Sequence, residues 1–333
     1  MFFYFIWIII LGVLSFYEIV FDKKINKFIR NIFIFLLWVI YGFNRDNNDY
    51  KNYLIVFEKE NYVEKGYILL IKLVKIFSGN HNWIVLILSF FMIYVFFMKY
   101  KPKYPITLIF IYSILNLIYD INQLRNFYAI LFIYLALKEK KKIIKVFYIL
   151  ISIGFHSISM IYLVFFSLKN LSLKNLKWIA IIVFLFSFIG IEVVQELILY
   201  LFPDKGEHYL RLKPNLGWIL YIIILLIDML CLYFYKNNNK RNMNLRKFVI
   251  FNLMLLPLGK LNIELVFRLY RNLTYIRLYY YLEIFTVETK NKKIIGWILL
   301  MLPYILINII NYLVHPTVSK EIFMQLKNIK FIF

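Results

Sequence analysis

The chain carries one cysteine, Cys231, in 333 residues. No disulfide can close within it, and no Cys/His spacing for a metal centre is present. Also missing are a Gly-rich phosphate loop, an HExxH pair, a GxSxG nucleophile turn and, in the basic loops, a DxD pair of the kind that meets nucleotide sugars. These absences exclude P-loop nucleotide chemistry, zincin-type hydrolysis and serine-hydrolase chemistry. An enzyme built on this chain must use a substrate that arrives already activated, and its cations would bind an anionic leaving group. Residues 1–17, 82–98, 104–119 and 294–314 contain no Asp, Glu, Lys or Arg at all. Ahead of residues 1–17 there is no basic segment, and after them no small-residue cleavage site, so the stretch is expected to be a retained helix rather than a secretory signal.

What is there is apolar side chain. Hydrophobic residues make up 62% of the chain and aromatics 20%, more than one water-soluble core could hide. The charge-free runs approach the ~20 residues that an α-helix needs to cross ~30 Å of hydrocarbon. Further candidate spans lie near 31–43, 127–137, 146–168, 178–202, 217–235, 248–263 and 272–288. An unpaired backbone amide in lipid costs several kcal/mol, so spans must be helices or closed barrels. Continuous apolar runs lack the alternation of a barrel. The expected fold is all-α: a polytopic transmembrane helical bundle of about 10–12 spans, with short re-entrant or interfacial helices, forming a single integral membrane domain over 1–333.

A net charge of +22 raises the question of nucleic acid. More than half of the 40 Lys and Arg fall in clusters at 23–30, 99–103, 138–145, 169–177, 236–247 and 290–293. The acids concentrate elsewhere, as in Asp46, Asp49, Glu58, Glu60 and Glu64. This alternation between loops is the positive-inside pattern, so the basicity encodes topology. The basic loops are short, with few interleaved aromatics, which argues against nucleic-acid binding. The alternation holds only if 146–168 turns back on itself around Gly154 and His156. Arg125 and His156 then lie at the same, external, face.

Three external segments carry candidate chemistry. In the loop over 44–81, Tyr67, Leu70, Ile71 and Val74 have helical spacing, which predicts a short helix at the membrane interface. In the same loop Asp46 and Asp49 fit a solvated turn more simply than a metal site, while Asp49 or Glu64 could serve as a proton acceptor. The second segment, INQLRNFYAILF (121–132), places Arg125 at the head of a helix. There it is either a snorkelling anchor or, with the unpaired amides of the first helical turn, one side of an anion site. His156 alone reads as an interior histidine; beside Arg125 it gains a functional reading. The third segment, 264–285, sets Arg268, Arg271 and Tyr275 on one helical side and Arg277 with Tyr281 on another. Headgroup binding explains Arg268 and Arg271 as well as a substrate does; Arg277 lies deeper in apolar sequence and is harder to explain that way. A further external loop is expected at 203–216.

The order of these elements resembles the EpsG branch of the Wzy-type polysaccharide polymerases. The chain has an Asp-Tyr-x-x-Tyr element (Asp49, Tyr50, Tyr53) and a Glu-x-Gly-aromatic element (Glu64, Gly66, Tyr67). An Asn-x-x-Arg helix start follows (Asn122, Arg125, with Asn126 and Ala129), then Phe155-His156-Ser157 and an Arg-Leu-x-x-Tyr element (Arg277, Leu278, Tyr281). Lys65 stands where the family usually has proline and Asn126 where it has glutamine. The similarity spans about 40–170 closely and 260–315 more loosely.

The resemblance implies a multi-pass enzyme of the bacterial cytoplasmic membrane that joins undecaprenyl-diphosphate-linked oligosaccharide repeat units at its outer face, for capsule, exopolysaccharide or O-antigen. It implies catalytic roles for Arg125, His156, Arg277, Asp49 and Glu64, and substrate contacts from Arg268, Arg271, Tyr50, Tyr53, Tyr281 and Asn122. No cofactor and no metal are expected where arginines carry the charge. The expected partners are the lipid-linked glycan, membrane lipids and a chain-length regulator. The rival class is a transporter or flippase of lipid-linked oligosaccharides, suggested by Glu18, Glu192, Glu196 and Asp228 within apolar spans; no repeated half supports it. A membrane acyltransferase using its histidine would leave the arginines without a task.

Overall fold

In the computed structural model the described residues are 2–43, 49–60, 63–115, 117, 120, 123–168 and 170–201, with 247, 248, 250, 251, 254, 255, 272, 293–295 and 298. Among them there are helices and no strands. In chain order these are α1 (Phe2–Val20), α2 (Lys27–Gly42), α3 (Tyr50–Lys59), α4 (Lys65–Phe77), α5 (Asn82–Ile93), α6 (Pro105–Leu115), α7 (Leu124–Lys138), α8 (Lys142–Phe155), α9 (Ile161–Leu168), α10 (Leu173–Ile189) and α11 (Ile191–Leu201). Two compact units result: Met1–Leu163 with Tyr281–Phe333, and Val164–Tyr280.

Local chemistry sets several of the ends. Asn26 caps α2 by accepting from the Phe28 amide, and Ser172 caps α10 by accepting from Asn175. Glu60 closes α3 in the left-handed conformation, its amide bonded to the Val56 carbonyl. α5 runs on through a π-helical turn, Tyr94–Lys99, whose widened ring lets the Tyr100 amide reach the Val95 carbonyl. The combined helix Asn82–Lys99 is the one among the described residues that is long and apolar enough to cross a membrane. Ile6–Val20, Pro105–Ile114 and Ser157–Leu168 are apolar but shorter. The expected interruption of 146–168 is present: the extended backbone of His156 ends α8 before a 3₁₀ turn at Ser157–Met160.

Polarity is inverted across α1. Trp7, Leu11, Ser15 and Glu18, spaced by four, four and three, are buried, whereas Ile6, Ile9, Ile10, Val13, Phe16 and Tyr17 are exposed. The polar groups face α6: Trp7 Nε1 donates to Ser113 Oγ at 3.1 Å, and Ser15 Oγ to Thr107 Oγ1 at 3.1 Å. Glu18 Oε2 accepts from the Thr107 amide at 2.9 Å and its hydroxyl at 3.0 Å, so this carboxylate caps the start of α6. In α8, Ile143, Val146, Phe147 and Leu150 are likewise exposed, as are Trp178, Ile181, Ile182, Leu185 and Phe186 in α10. Continuous apolar stripes on outward faces are costly in water and inexpensive in lipid.

α7 is the axis of the first unit, and from Asn126 to Leu137 nearly every side chain is buried. Its backbone carbonyls are tied to its neighbours: Ser152 Oγ in α8 donates to Ala129 O at 2.7 Å, and the Tyr100 hydroxyl to Tyr134 O at 2.7 Å. α7 answers through its own Tyr128 hydroxyl, which donates to Ile84 O at 2.8 Å. Phe155 stacks on Tyr128 and Phe132, with ring centroids 5.0 and 5.8 Å apart. Asp22 binds Lys103 at 2.9 Å and Lys293 at 3.2 Å, joining the loops after α1 and α5 to residues near 293. Lys138 sits over the Tyr100 ring at the C-terminal end of α7. Arg125 is at the other end, ~20 Å away at ~1.5 Å of rise per residue.

Candidate active site

Glu64 is the meeting point. It precedes the first residue of α4, in extended conformation, and does not cap its own helix. The side chain instead reaches across to two other elements. Arg125, second residue of α7, donates from Nη1 to Glu64 Oε2 at 2.5 Å. On the opposite side, Oε1 accepts from the Ser157 amide at 3.2 Å and hydroxyl at 3.4 Å, and His156 Nδ1 lies 3.4 Å from it. The side chains are 15% (Glu64), 28% (Arg125) and 14% (His156) exposed, so the cluster is mostly shielded without being sealed.

The break after α8 creates half of this site. Once the chain turns extended at His156, the Ser157 amide at the start of the 3₁₀ turn has no intrahelical acceptor, and a carboxylate satisfies it. A guanidinium supplies the opposing charge. Burial pushes the Glu64 carboxyl up, but the His156 contact and the Arg125 charge outweigh it and hold the group well below the usual carboxylate range. Glu64 is therefore ionised at any physiological pH.

Tyr53, on α3, completes the arrangement. Its buried hydroxyl takes part in hydrogen bonds with the Arg125 backbone and side chain. Burial raises its ionisation above the usual phenol value; the Arg125 charge opposes that rise and the Asp49 charge adds to it. The Tyr67 ring, on α4, lies 5.9 Å from that of Tyr53; Tyr67 is fully buried and its hydroxyl has no hydrogen-bond partner among the described residues. Behind them His81 is buried between Tyr53, stacked at 6.1 Å, and the edges of Tyr50 and Phe57 at 5.6 and 5.8 Å. Neither His81 ring nitrogen has a partner among the described residues, and burial lowers its pKa to about 4.

The structure thus brings together Glu64, Arg125, His156 and Tyr53, from four separate elements. In the structure Arg125 is paired with Glu64. Glu64 in turn is a poor proton acceptor, since both oxygens are engaged and its carboxyl is held ionised by neighbouring donors. Asp49 sits at the start of α3 and Tyr50 bonds Asn82 at 2.9 Å. Asn122, Arg268, Arg271, Arg277 and Tyr281, like the 203–216 loop and Asp228, lie outside the described residues. Ser157 entered the sequence reading only as the last member of the Phe155-His156-Ser157 element; the structure adds that its amide and hydroxyl meet Glu64. Among the described residues no three His, Cys, Asp or Glu side chains converge as metal ligands would.

A family model, that of the EpsG family, matches residues 27–326. No curated protein and no solved structure matches the chain.

Proposed function

Because the chain belongs to the EpsG family, a family of Wzy-type polysaccharide polymerase-like proteins, we propose that it is a multi-pass glycosyltransferase of the bacterial cytoplasmic membrane. It joins oligosaccharide repeat units carried on undecaprenyl diphosphate at the outer face, within one integral membrane domain of about 10–12 spans, and needs no metal. The observation that supports this most is the convergence of Arg125, His156 and Ser157 on Glu64 across 61 to 93 residues of chain.

The reaction transfers the growing glycan to a sugar hydroxyl of the next lipid-linked unit. The hydroxyl oxygen bonds to the donor's anomeric carbon, the bond from that carbon to the diphosphate oxygen breaks, and the lipid diphosphate leaves with the electron pair. The hydroxyl proton must go to a base. With Glu64 ionised beside Nδ1, the favoured neutral tautomer of His156 keeps its proton on Nδ1 and its lone pair on Nε2. His156 Nε2 is thus the base, oriented by Glu64 as a carboxylate orients histidine in a hydrolase triad. Asp49 is left as a contributor to the field around Tyr53.

Charge counting then constrains the leaving-group site. Arg125 and Glu64 cancel, so with neutral His156 the described cluster has no net charge to offer a diphosphate. We assign that charge to Arg277, with Arg268 and Arg271, as the resemblance implies, with Arg125 acting mainly on the geometry of Glu64. The interfacial α4 holds Glu64 at the membrane boundary. The transporter reading loses part of its motive: Glu18 caps α6, and Glu192 and Glu196 are exposed on α11.

The test is incubation of purified protein with an undecaprenyl-diphosphate-linked repeat unit, scored by a ladder of lengthened products. In cells lacking the protein, single repeat units at the surface support a polymerase. Units trapped on the cytoplasmic leaflet indicate a flippase instead.

A further inference from the structure

Gly66 and Gly154 meet where α4 crosses the end of α8. A Cβ on Gly66 would stand 2.6 Å from the Gly154 carbonyl oxygen, 2.7 Å from its carbon and 3.1 Å from its Cα. All three are backbone atoms, which cannot swing aside. Neither glycine has a positive φ, so the demand is for space and not for an unusual conformation. The demand is also one-sided: a Cβ on Gly154 would find only Gly66 Cα at 3.7 Å and N at 3.8 Å, ordinary contact distances.

The position of this contact matters. Glu64 is two residues before Gly66; His156 and Ser157 are two and three residues after Gly154. No described element lies between the backbone contact and the bonds from Glu64 Oε1 to Ser157 and toward His156 Nδ1. A side chain at Gly66 would part the two backbones, and the separation would pass directly into those contacts.

We propose that Gly66 is a positioning residue: its lack of a side chain sets the distance between the Glu64 carboxylate and the His156 ring. Gly154 is the surface it rests on and tolerates a methyl group. The mechanistic consequence rests on the polymerase reading, but the geometric claim does not. Parting the backbones by roughly 1 Å is enough to cost ~10²-fold in a rate that depends on alignment.

The experiment compares Gly66→Ala, Gly154→Ala and Glu64→Gln with the natural protein, by ¹⁵N-histidine NMR of the His156 ring and by product-ladder kinetics. In Gly66→Ala the His156 nitrogen signals are expected to move to those of Glu64→Gln, with kcat down ~10²-fold and KM for the acceptor nearly unchanged. In Gly154→Ala the signals and kcat stay within about 3-fold of the natural protein. Natural-like signals and turnover in Gly66→Ala, or equal losses in both alanine variants, would overturn the proposal. Should Gly66→Ala fail to fold, Gly154→Ala decides: retained signals support the one-sided contact, and lost signals refute it. Should the natural protein form no ladder while the NMR pattern holds, the polymerase reading fails and the positioning claim stands.

Discussion

Replacing Glu64 by glutamine tests the site most directly, because the change preserves shape and removes only charge and one acceptor. In the natural protein both carboxylate oxygens accept, one from Arg125 and the other from Ser157. An amide has one oxygen. If that oxygen keeps Arg125, the amide NH₂ faces the Ser157 N–H, donor against donor, and points at His156 Nδ1. The imidazole then accepts at Nδ1 and carries its proton on Nε2, the wrong tautomer for a base. Loss of a positioned base costs about 10²–10⁴ in rate, which is about 3–5 kcal/mol of barrier. Stability falls too, since Arg125 is left half-shielded without a counter-ion and the Ser157 amide loses a charged acceptor, together about 2–4 kcal/mol. The assay is the initial rate of ladder formation at saturating lipid-linked unit, with thermal melting alongside. A Glu64→Gln rate within 3-fold of natural together with a large loss in Asp49→Asn would refute the assignment of His156 as base.

Arg125→Lys should lose activity by at least ~10-fold and melt earlier, because an ammonium cannot bridge Tyr53 and Glu64 as a planar guanidinium does; circular-dichroism melts and ladder rates check this. Arg277→Ala should leave melting unchanged, reduce turnover by ~10²-fold and weaken competitive inhibition by inorganic pyrophosphate, as expected for a residue that stabilises leaving-group charge. His81 makes stability depend on pH: the folded chain protonates it near 4 and the unfolded chain near 6.5. Between those values the unfolded state holds more protons, so stability is full above about 6.5 and falls as pH drops toward 4, by up to about 3 kcal/mol. His81→Phe, which suits the Tyr50, Tyr53 and Phe57 surround, should flatten that slope in melting curves recorded from pH 7 to pH 4.

Much of the local structure was legible in the residues. Tyr67, Ile71 and Val74 recur at helical spacing and are buried in α4, with Leu70 half-buried beside them. Arg125 heads a helix, as the polar turn before a long apolar run suggested. Gly154 and His156 marked the interruption that ends α8. The partner of Arg125 was not legible. The Glu64-x-Gly66-Tyr67 element marked Glu64 but said nothing of its pairing with Arg125; the nearby Glu60 binds Lys75 instead. Which acid reaches the arginine depends on how α4 lies across α8, where Gly66 rests against the backbone of Gly154, 88 positions away.

From the sequence alone came the helical class and the membership suggested by motif order, with sidedness and a short set of site residues as expectations. Those properties depend on composition and on spacing within one helix, which a linear string records. Only the tertiary structure decided that Arg125 pairs with Glu64, that His156 and Ser157 lie against the same carboxylate, and that a Cβ would meet backbone at Gly66 but not at Gly154. Each of these turns on distances of a few ångströms between elements far apart in the chain, where helix packing selects one contact from many that the same residues could have made.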